Sequence, residues 1–509
     1  MTNILFLVWD ACRADYAKDH AATLQELGDD NMVFENAVAP STWSLPSHAS
    51  LFSGLPPHEH GITSGTEPFV DAPVLEQLGE HGYRRYGVSA NGFTANNYVS
   101  DEIFDEFQYT LTGMEPEGLD AYWHSNKVEN SGTSNSSLNK LRKLSVVCAK
   151  ALTHENPVAS FRNVARWVYY SQVNKYLNRL EILSENHPIF TSTKLFQYTS
   201  SWNTGRIETI LKQEASNDDP FFLFSNYMDT HHPYYPAEEY QRTKLGRALP
   251  FHEVKRLNDQ LMDPVTFIAN AHEGEIDEAD LEMVRDLYAG EVAGVDDALE
   301  TILALLSKYD LQDDTLVVVT ADHGENLGEE DAYGRRRMGH IDSVSDNGLR
   351  VPLVVAHPAL NGERVDEWAS ITSLGALFEA VARGENVSND LIKESLVSPD
   401  GVVVERPADH SERWAAHSIP TAVSERESFQ HTCIGYVGEW KYVADTTGHE
   451  RAWKAGNEQE VETVPTSLRE QVQQRLDRLL EMDPLDGNKQ NDHELDPSVR
   501  KELENLGYL

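Results

Sequence analysis

Short, nearly uninterrupted apolar runs punctuate this chain, and three of them stop on residue types that can ligate metal ions. Residues 4–9 stop at Asp10, residues 221–228 at Asp229-Thr230-His231, and residues 316–321 at Asp322-His323-Gly324. Runs of this length, ended so abruptly, predict strands buried on both faces, as in a parallel sheet. Between them the spacing becomes helical: Val292, Val295, Leu299, Ile302 and Leu306 share one face. A short helix is predicted over 46–52, with proline in its first turn. Residues 75–93 read as a helix and then a strand centred on 86–89, and 350–355 as another short strand. This alternation predicts an α/β fold. Such a sheet binds ligands at the carboxyl ends of its strands, so acids and imidazoles recurring there describe one site built from distant segments.

The rhythm breaks twice. From about 110 to 215 long helical stretches replace it. After about 415 the texture changes again, with 440–443 strand-like and 468–482 helical. The expected organisation is a catalytic domain over 1–415, carrying a helical insert at about 110–215, and a small C-terminal α+β unit over 416–509.

Charge alters the picture in two places. The 509 residues hold 42 Lys and Arg against 83 Asp and Glu, a formal charge of -41 spread along the chain. That excess disfavours nucleic acid as a partner and suits a halophilic protein in a high-salt, cytoplasmic setting, where salt screens the repulsion. Against it, eight basic residues (Lys140, Arg142, Lys143, Lys150, Arg162, Arg166, Lys175, Arg179) face one acid, Glu155, between 140 and 179. This basic insert reads either as a solvated helical face on an acidic body or as a lid that attracts an anionic substrate, lipid surface or partner. Cys12, Cys148 and Cys433 lie far apart and suggest no disulfide framework. The first apolar run is too short for a signal-peptide core or a membrane span. A reduced, intracellular protein is expected; the oligomeric state is not legible.

The chemistry lies in the residues that end the runs. A hydroxyl attacks a sulfur or phosphorus ester poorly unless its proton is removed and the substrate's charge neutralised, and a divalent cation does both. Asp10, Asp322 and His323, with the hydroxyl of Ser44, offer a donor set suited to calcium, magnesium or manganese. Ser44 also stands just before the predicted helix N-terminus, where backbone N–H groups favour an oxyanion.

The order of these segments resembles the sulfatases of the alkaline phosphatase superfamily. Asp10-Ala11-Cys12-Arg13-Ala14-Asp15 is similar to the first metal stretch. Ser44-Leu45-Pro46-Ser47-His48-Ala49-Ser50-Leu51-Phe52-Ser53-Gly54, continued by Pro57-His58-Glu59-His60-Gly61-Ile62, resembles the nucleophile stretch. Met228-Asp229-Thr230-His231-His232-Pro233-Tyr234 looks like the segment with a substrate-facing histidine, Asp322-His323-Gly324-Glu325 like the second metal stretch, and Gly339-His340 like the one that follows. The ending, 503–509, is similar to the family's usual terminus.

The resemblance implies an alkaline-phosphatase-like fold, a mixed, mostly parallel sheet flanked by helices, and a metal-dependent hydrolase of sulfate esters. It implies one cation, calcium before manganese or magnesium, held by Asp10, Asp322 and His323, with Ser44 as nucleophile. His231 and His340 would neutralise the transferred group or protonate the leaving oxygen, as an imidazole titrating near neutrality can. Arg13, His48 and Asn91 would shape the pocket for a small anionic ester. The departures concern the substrate. A sulfatase nucleophile is normally oxidised to formylglycine and followed four positions on by arginine, whereas here the residues are Ser44 and His48. Ala11 replaces a second aspartate, Gly82-Tyr83 is followed by Ala90-Asn91-Gly92 instead of a lysine and a histidine, and His340 replaces a later lysine. A phosphodiesterase or phosphoglycerol-transferase-like enzyme using unmodified Ser44 is therefore the alternative, with a non-catalytic binding protein behind it. Asp229, His231 and His340 would supply a second metal site if two ions bind.

Overall fold

The computed structural model describes residues 1–63, 72–91, 94, 103–110, 137–154, 156–168, 199–261, 267, 270–271, 276–331, 336–340, 344–408, 430–454 and 459–482. Gly92, Glu155, Lys175, Arg179 and the ending at 503–509 lie outside these residues.

The strands are β1 (Asn3–Trp9), β2 (Met32–Val38), β3 (Arg84–Ser89), β4 (Glu106–Tyr109), β5 (Phe221–Tyr227), β6 (Thr315–Thr320), β7 (Asn326–Glu330), β8 (Arg336–Gly339), β9 (Leu353–Ala356) and β10 (Glu363–Ser370). In the C-terminal part they are β11 (Val402–Arg406), β12 (Thr432–Val437), β13 (Trp440–Asp445), β14 (Glu450–Lys454) and β15 (Gln459–Glu460). The large sheet has the order β10-β2-β9-β6-β1-β5-β3-β4. Its pairs are parallel except that β9 runs antiparallel to both β2 and β6. The expected mixed, mostly parallel sheet is therefore the fold.

The three apolar runs are its middle. β6, β1 and β5 are adjacent, with Ile4 level with Phe222 and Leu316, and every residue of all three strands is buried. Continuous burial follows from helices on both faces, which is why these runs do not alternate. One such helix is Glu278–Lys308, on which the predicted stripe of Val292, Val295, Leu299, Ile302 and Leu306 is wholly buried. On another part of the core, Phe224 of β5 meets Phe6 at 5.7 Å and Phe52 at 5.0 Å between ring centroids, and the ring of His48 lies at 6.0 Å. Phe224→Ala is expected to cost about 3–5 kcal/mol, because neighbours this tightly packed cannot close the cavity. A urea denaturation curve that moves by less than about 1 kcal/mol would show this cluster to be soft.

Local expectations hold with shifted ends. The helix after the serine is Ser44–Ser53, so Ser44 is its first residue and Trp43 its N-cap. The segment read as one strand over 350–355 follows a helical turn, Asp346–Leu349; Arg350 makes only an isolated bridge to Val38, and the strand β9 proper runs over 353–356. The insert contains helices Ser137–Thr153 and Pro157–Val168, held together by Val147, Ala151 and Val164 in a small core of their own. The helix Thr199–Glu214 belongs to the body, since Glu214 accepts from the hydroxyl of Tyr86 on β3 at 2.6 Å.

The small antiparallel sheet β11-β12-β13-β14-β15 is covered by helix Thr466–Met482. Its first strand lies at 402–406, upstream of the boundary read at 416, because Val402 and Val404 alternate inward as a strand too brief to separate from a loop by pattern alone. This sheet braces the turn that leads to Ser44. Glu405 donates its N–H to the Pro40 carbonyl, its own carbonyl accepts from Ser41 Oγ at 2.8 Å, and its carboxylate accepts from the His58 N–H at 2.8 Å. Among the described residues no helix is long and apolar enough to cross a membrane.

Candidate active site

Four neighbouring strands deliver their first residues after the sheet to one place: β6 delivers Asp322 and His323, β1 delivers Asp10, β5 delivers Thr230 and His231, and β3 leads to Asn91. The helix Ser44–Ser53 sets Ser44 among them. Its Oγ lies 3.3 Å from Asp10 Oδ2 and 3.2 Å from His323 Nε2, and all four groups, Asp322 included, are buried. Residues hundreds of positions apart therefore converge as expected.

Backbone geometry at the two aspartates explains the convergence. Ala11 has a φ of 60°, the left-handed region that costs a non-glycine residue about 1–3 kcal/mol. The turn is held because the Ala11 N–H donates to Asp322 Oδ1 at 3.1 Å and its carbonyl accepts from the Tyr288 hydroxyl at 2.8 Å. Asp322 Oδ1 also accepts the His323 N–H at 3.0 Å. Glycine is required next, since a Cβ at Gly324 would stand 2.0 Å from the Asn347 carbonyl oxygen.

Two observations show that the set fits a cation. Asp322 Oδ2 is buried with no hydrogen-bond partner, although it lies 3.5 Å from the rings of His48 and His323. A buried carboxylate oxygen left in that state is costly unless an ion completes it. Second, burial, reinforced by the charge of Asp322, pushes the Asp10 carboxyl up to about 7. Burial by itself would lower His323, but Asp322 and Asp10 outweigh it and raise the imidazole above its ordinary value. Nδ1 of His323 faces the Gly324 carbonyl at 2.8 Å, which directs Nε2 to the aspartates and Ser44.

The sign of the Asp10 shift gives a pH test. The metal-free folded chain holds a proton at Asp10 that the unfolded chain releases near 3.8. This group's contribution to stability is therefore present below about pH 4 and lost as pH rises through about 7. A divalent cation bound at Asp10 would replace that proton. The gain in melting temperature on adding the cation is thus expected to be several degrees larger at pH 8 than at pH 5. Equal gains at both values in a melt against chelator-treated protein would contradict it.

His48 and Asn91 sit where expected, beside the reacting groups, but they act on Asp10 and on the backbone of Ser44. Asn91 Nδ2 donates to Asp10 Oδ2 at 2.5 Å. His48 Nδ1 donates to the Ser44 carbonyl at 2.8 Å, and burial lowers its pKa to about 4. His48 is therefore neutral at pH 7, and its approach to Asp322 is a polar contact with no ion pair. Arg13 is turned elsewhere: its guanidinium grips Asp15 at 2.7 Å and Glu329 at 2.6 Å. His231 and His340 do flank the cluster, with His340 4.2 Å and His231 6.3 Å from the His323 ring. Burial, helped by neighbouring imidazoles, lowers His231 well below 6.5 and His340 to about 3. The expectation that they titrate near neutrality gives way to two neutral rings.

Sequence reasoning missed Asn226, His232 and Glu325. Asn226 Nδ2 bridges Asp10 Oδ2 at 3.2 Å and His48 Nε2 at 3.1 Å from inside β5. The signal was present, since Ser225-Asn226 interrupts an apolar run. Asn226→Ala is expected to weaken cation binding by about 10–100-fold with little change in fold; unchanged affinity by equilibrium dialysis would remove it from the site. Glu325 accepts from His340 Nδ1 at 3.0 Å and the Tyr234 hydroxyl at 3.2 Å.

A family model described as Sulfatase matches residues 2–378. The chain belongs to the sulfatase family. Among curated sulfatase-family relatives, the uncharacterized sulfatase YidJ of Escherichia coli K12 is 24% identical over 398 residues, 75% of this chain and 67% of that protein. The multifunctional alkaline phosphatase superfamily protein PehA of Trinickia caryophylli is 27% identical over 177 residues, covering 32% of this chain and only 33% of PehA. Among solved structures, the phosphonate monoester hydrolase of Silicibacter pomeroyi superposes with a TM-score of 0.58 at 16% identity, covering 95% of this chain and 96% of its own. At that identity the likeness establishes the alkaline-phosphatase-like fold that the motif order implied.

Proposed function

We propose that this sulfatase-family chain hydrolyses small anionic esters, sulfate esters first, through nucleophilic attack by Ser44. The observation that carries the reading is the meeting of Ser44 Oγ with Asp10 and His323 at the N-terminus of its helix, next to the uncompensated Asp322 oxygen. Asp10, Asp322, His323 and Ser44 Oγ would hold one divalent cation, calcium by its preference for oxygen donors, or manganese or magnesium. When bound, that ion lowers the pKa of the hydroxyl and offsets the charge of the ester.

The chain's own groups account for the rest. Asn91 and Asn226 hold the Asp10 carboxylate. His48 fixes the Ser44 carbonyl, which keeps the hydroxyl aimed outward from the helix start. The backbone N–H groups of that first turn favour negative charge on the transferred group. Ser44 Oγ forms a bond to the sulfur or phosphorus as the ester bond to the leaving oxygen breaks, and the leaving alcohol takes up a proton. Water then attacks the serine ester to release the acid and restore Ser44. His231 and His340, being neutral, meet the transferred group as polar or ligating rings.

A second reading is favoured by one observation. His48, neutral and bound to the Ser44 carbonyl, stands where the sulfatase pattern has arginine, which fits an unmodified Ser44 and a phosphorus ester. Intact mass of the Ser44 peptide from the native host, with parallel assays on an aryl sulfate, a phosphate monoester and a phosphodiester, separates the two. A loss of two hydrogens at Ser44 with sulfatase turnover supports the first, and plain serine with phosphodiester turnover the second. No turnover on any ester in metal-loaded, folded protein would sink both.

A further inference from the structure

Beside the oxygen-rich set lies a second one made of nitrogen. His231 and His232 follow β5 and His340 follows β8, and each offers a ring nitrogen within 4.8 Å of the other two. His231 and His340 are buried, and the His232 side chain is 12% exposed. The Nδ1 of each ring faces an oxygen: His231 toward the His232 carbonyl at 2.6 Å, His340 toward Glu325 Oε1 at 3.0 Å, and His232 toward Glu325 Oε2 at 3.5 Å. Hydrogen on Nδ1 leaves the lone pair on Nε2, and a carboxylate behind a histidine is the arrangement that orients imidazoles toward a metal. Glu325 serves two of the three rings, and Tyr234 fixes Glu325 in turn.

The donor set differs from the one the sequence suggested. Asp229 is drawn off, accepting the Ser200 N–H at 3.3 Å and lining a cavity of about 450 Å³ with Glu291 and Asp297. His232 takes its place, which turns a mixed set into three imidazoles.

We propose that His231, His232 and His340 bind a second divalent ion, zinc by the preference of that metal for nitrogen donors, next to the cation of the Asp10, Asp322 and His323 set. Oxygen ligands suit calcium, manganese or magnesium, whereas three imidazoles suit zinc, so the two sites select different metals. The rings of His340 and His323 touch, so the two ions would face one ester from adjoining sides, the zinc meeting the oxygens of the transferred group. What the ion does rests on the hydrolase reading above, but whether it binds does not.

The test is metal binding to the full chain, stripped with chelator and dialysed against zinc, against manganese, and against cobalt as a spectroscopic substitute for zinc. The wild type is expected to bind one zinc that manganese does not displace, with a cobalt spectrum of nitrogen ligation. Asp322→Asn should retain that zinc, while His340→Ala and the partly exposed His232→Gln each weaken it on the order of 100-fold or more. Manganese binding at the oxygen-rich set should survive His232→Gln, which shows that this variant folds. Zinc lost in Asp322→Asn, or undiminished in His232→Gln, would overturn the proposal. Loss of turnover in Asp322→Asn with zinc still bound tells against neither reading; turnover retained there would sink the hydrolase mechanism alone.

Discussion

Asp322→Ala is expected to abolish tight binding of the cation at the oxygen-rich set and to lower turnover by on the order of 10³-fold or more. The size follows from position. Asp322 contributes one oxygen that pins the Ala11 and His323 N–H groups and a second that is buried without a hydrogen-bond partner, the one the proposed cation would take. Removing the side chain therefore loses a ligand and loosens the turns that aim Asp10 and His323. Relieving the repulsion between the two acids lets Asp10 ionise more readily, but the two orphaned N–H groups lower the stability of the metal-free variant, and the stabilisation that metal would bring is lost as well. Metal content by elemental analysis, alongside turnover, checks this; a variant that keeps both would end the assignment of the site.

Ser44→Ala should cost even more, on the order of 10⁴-fold or beyond, because no other hydroxyl is bound to both Asp10 and His323 among the described residues. Binding of the cation should weaken only modestly, since Asp10, Asp322 and His323 remain. A rapid-quench experiment with a slow substrate should find the transferred group on Ser44 in the wild type and nowhere in the variant. Turnover within tenfold of wild type would transfer the nucleophile's role to water and leave Ser44 a spectator.

The pair separates two failures. If Asp322→Ala loses activity and Ser44→Ala does not, the cation centre stands and the covalent route falls. The reverse result would leave a serine enzyme whose buried acids serve another purpose.

Much of the centre was legible because of how parallel strands end. A run buried on both faces can stop only where the chain leaves the sheet, so the polar residues after 9, 228 and 321 had to lie at one rim. Pattern does not reveal which oxygen a side chain turns to, and this is where the reading failed. Arg13 looked like a pocket residue, but Glu329 and Asp15 were out of sight as partners. His231 and His340 looked ready to titrate near neutrality, yet burial and neighbouring imidazoles keep them neutral. Asn226 was hidden because a polar residue in an apolar strand looks like an interruption until its neighbours across the sheet are known.

By itself, then, the order of residues determined the strands, the layer architecture, the rim on which Asp10, Ser44, Asp322 and His323 gather, and the family to which the motifs belong. All of these depend on local periodicity and on short segments that carry their own chemistry. Only the tertiary structure decided that Asp229 turns to Ser200 while His232 gathers with His231 and His340, that Glu325 faces two imidazoles, and that burial beside Asp322 raises the Asp10 carboxyl. These depend on burial and on distances between segments up to about 300 residues apart, where desolvation and Coulomb energy change steeply over an ångström or two.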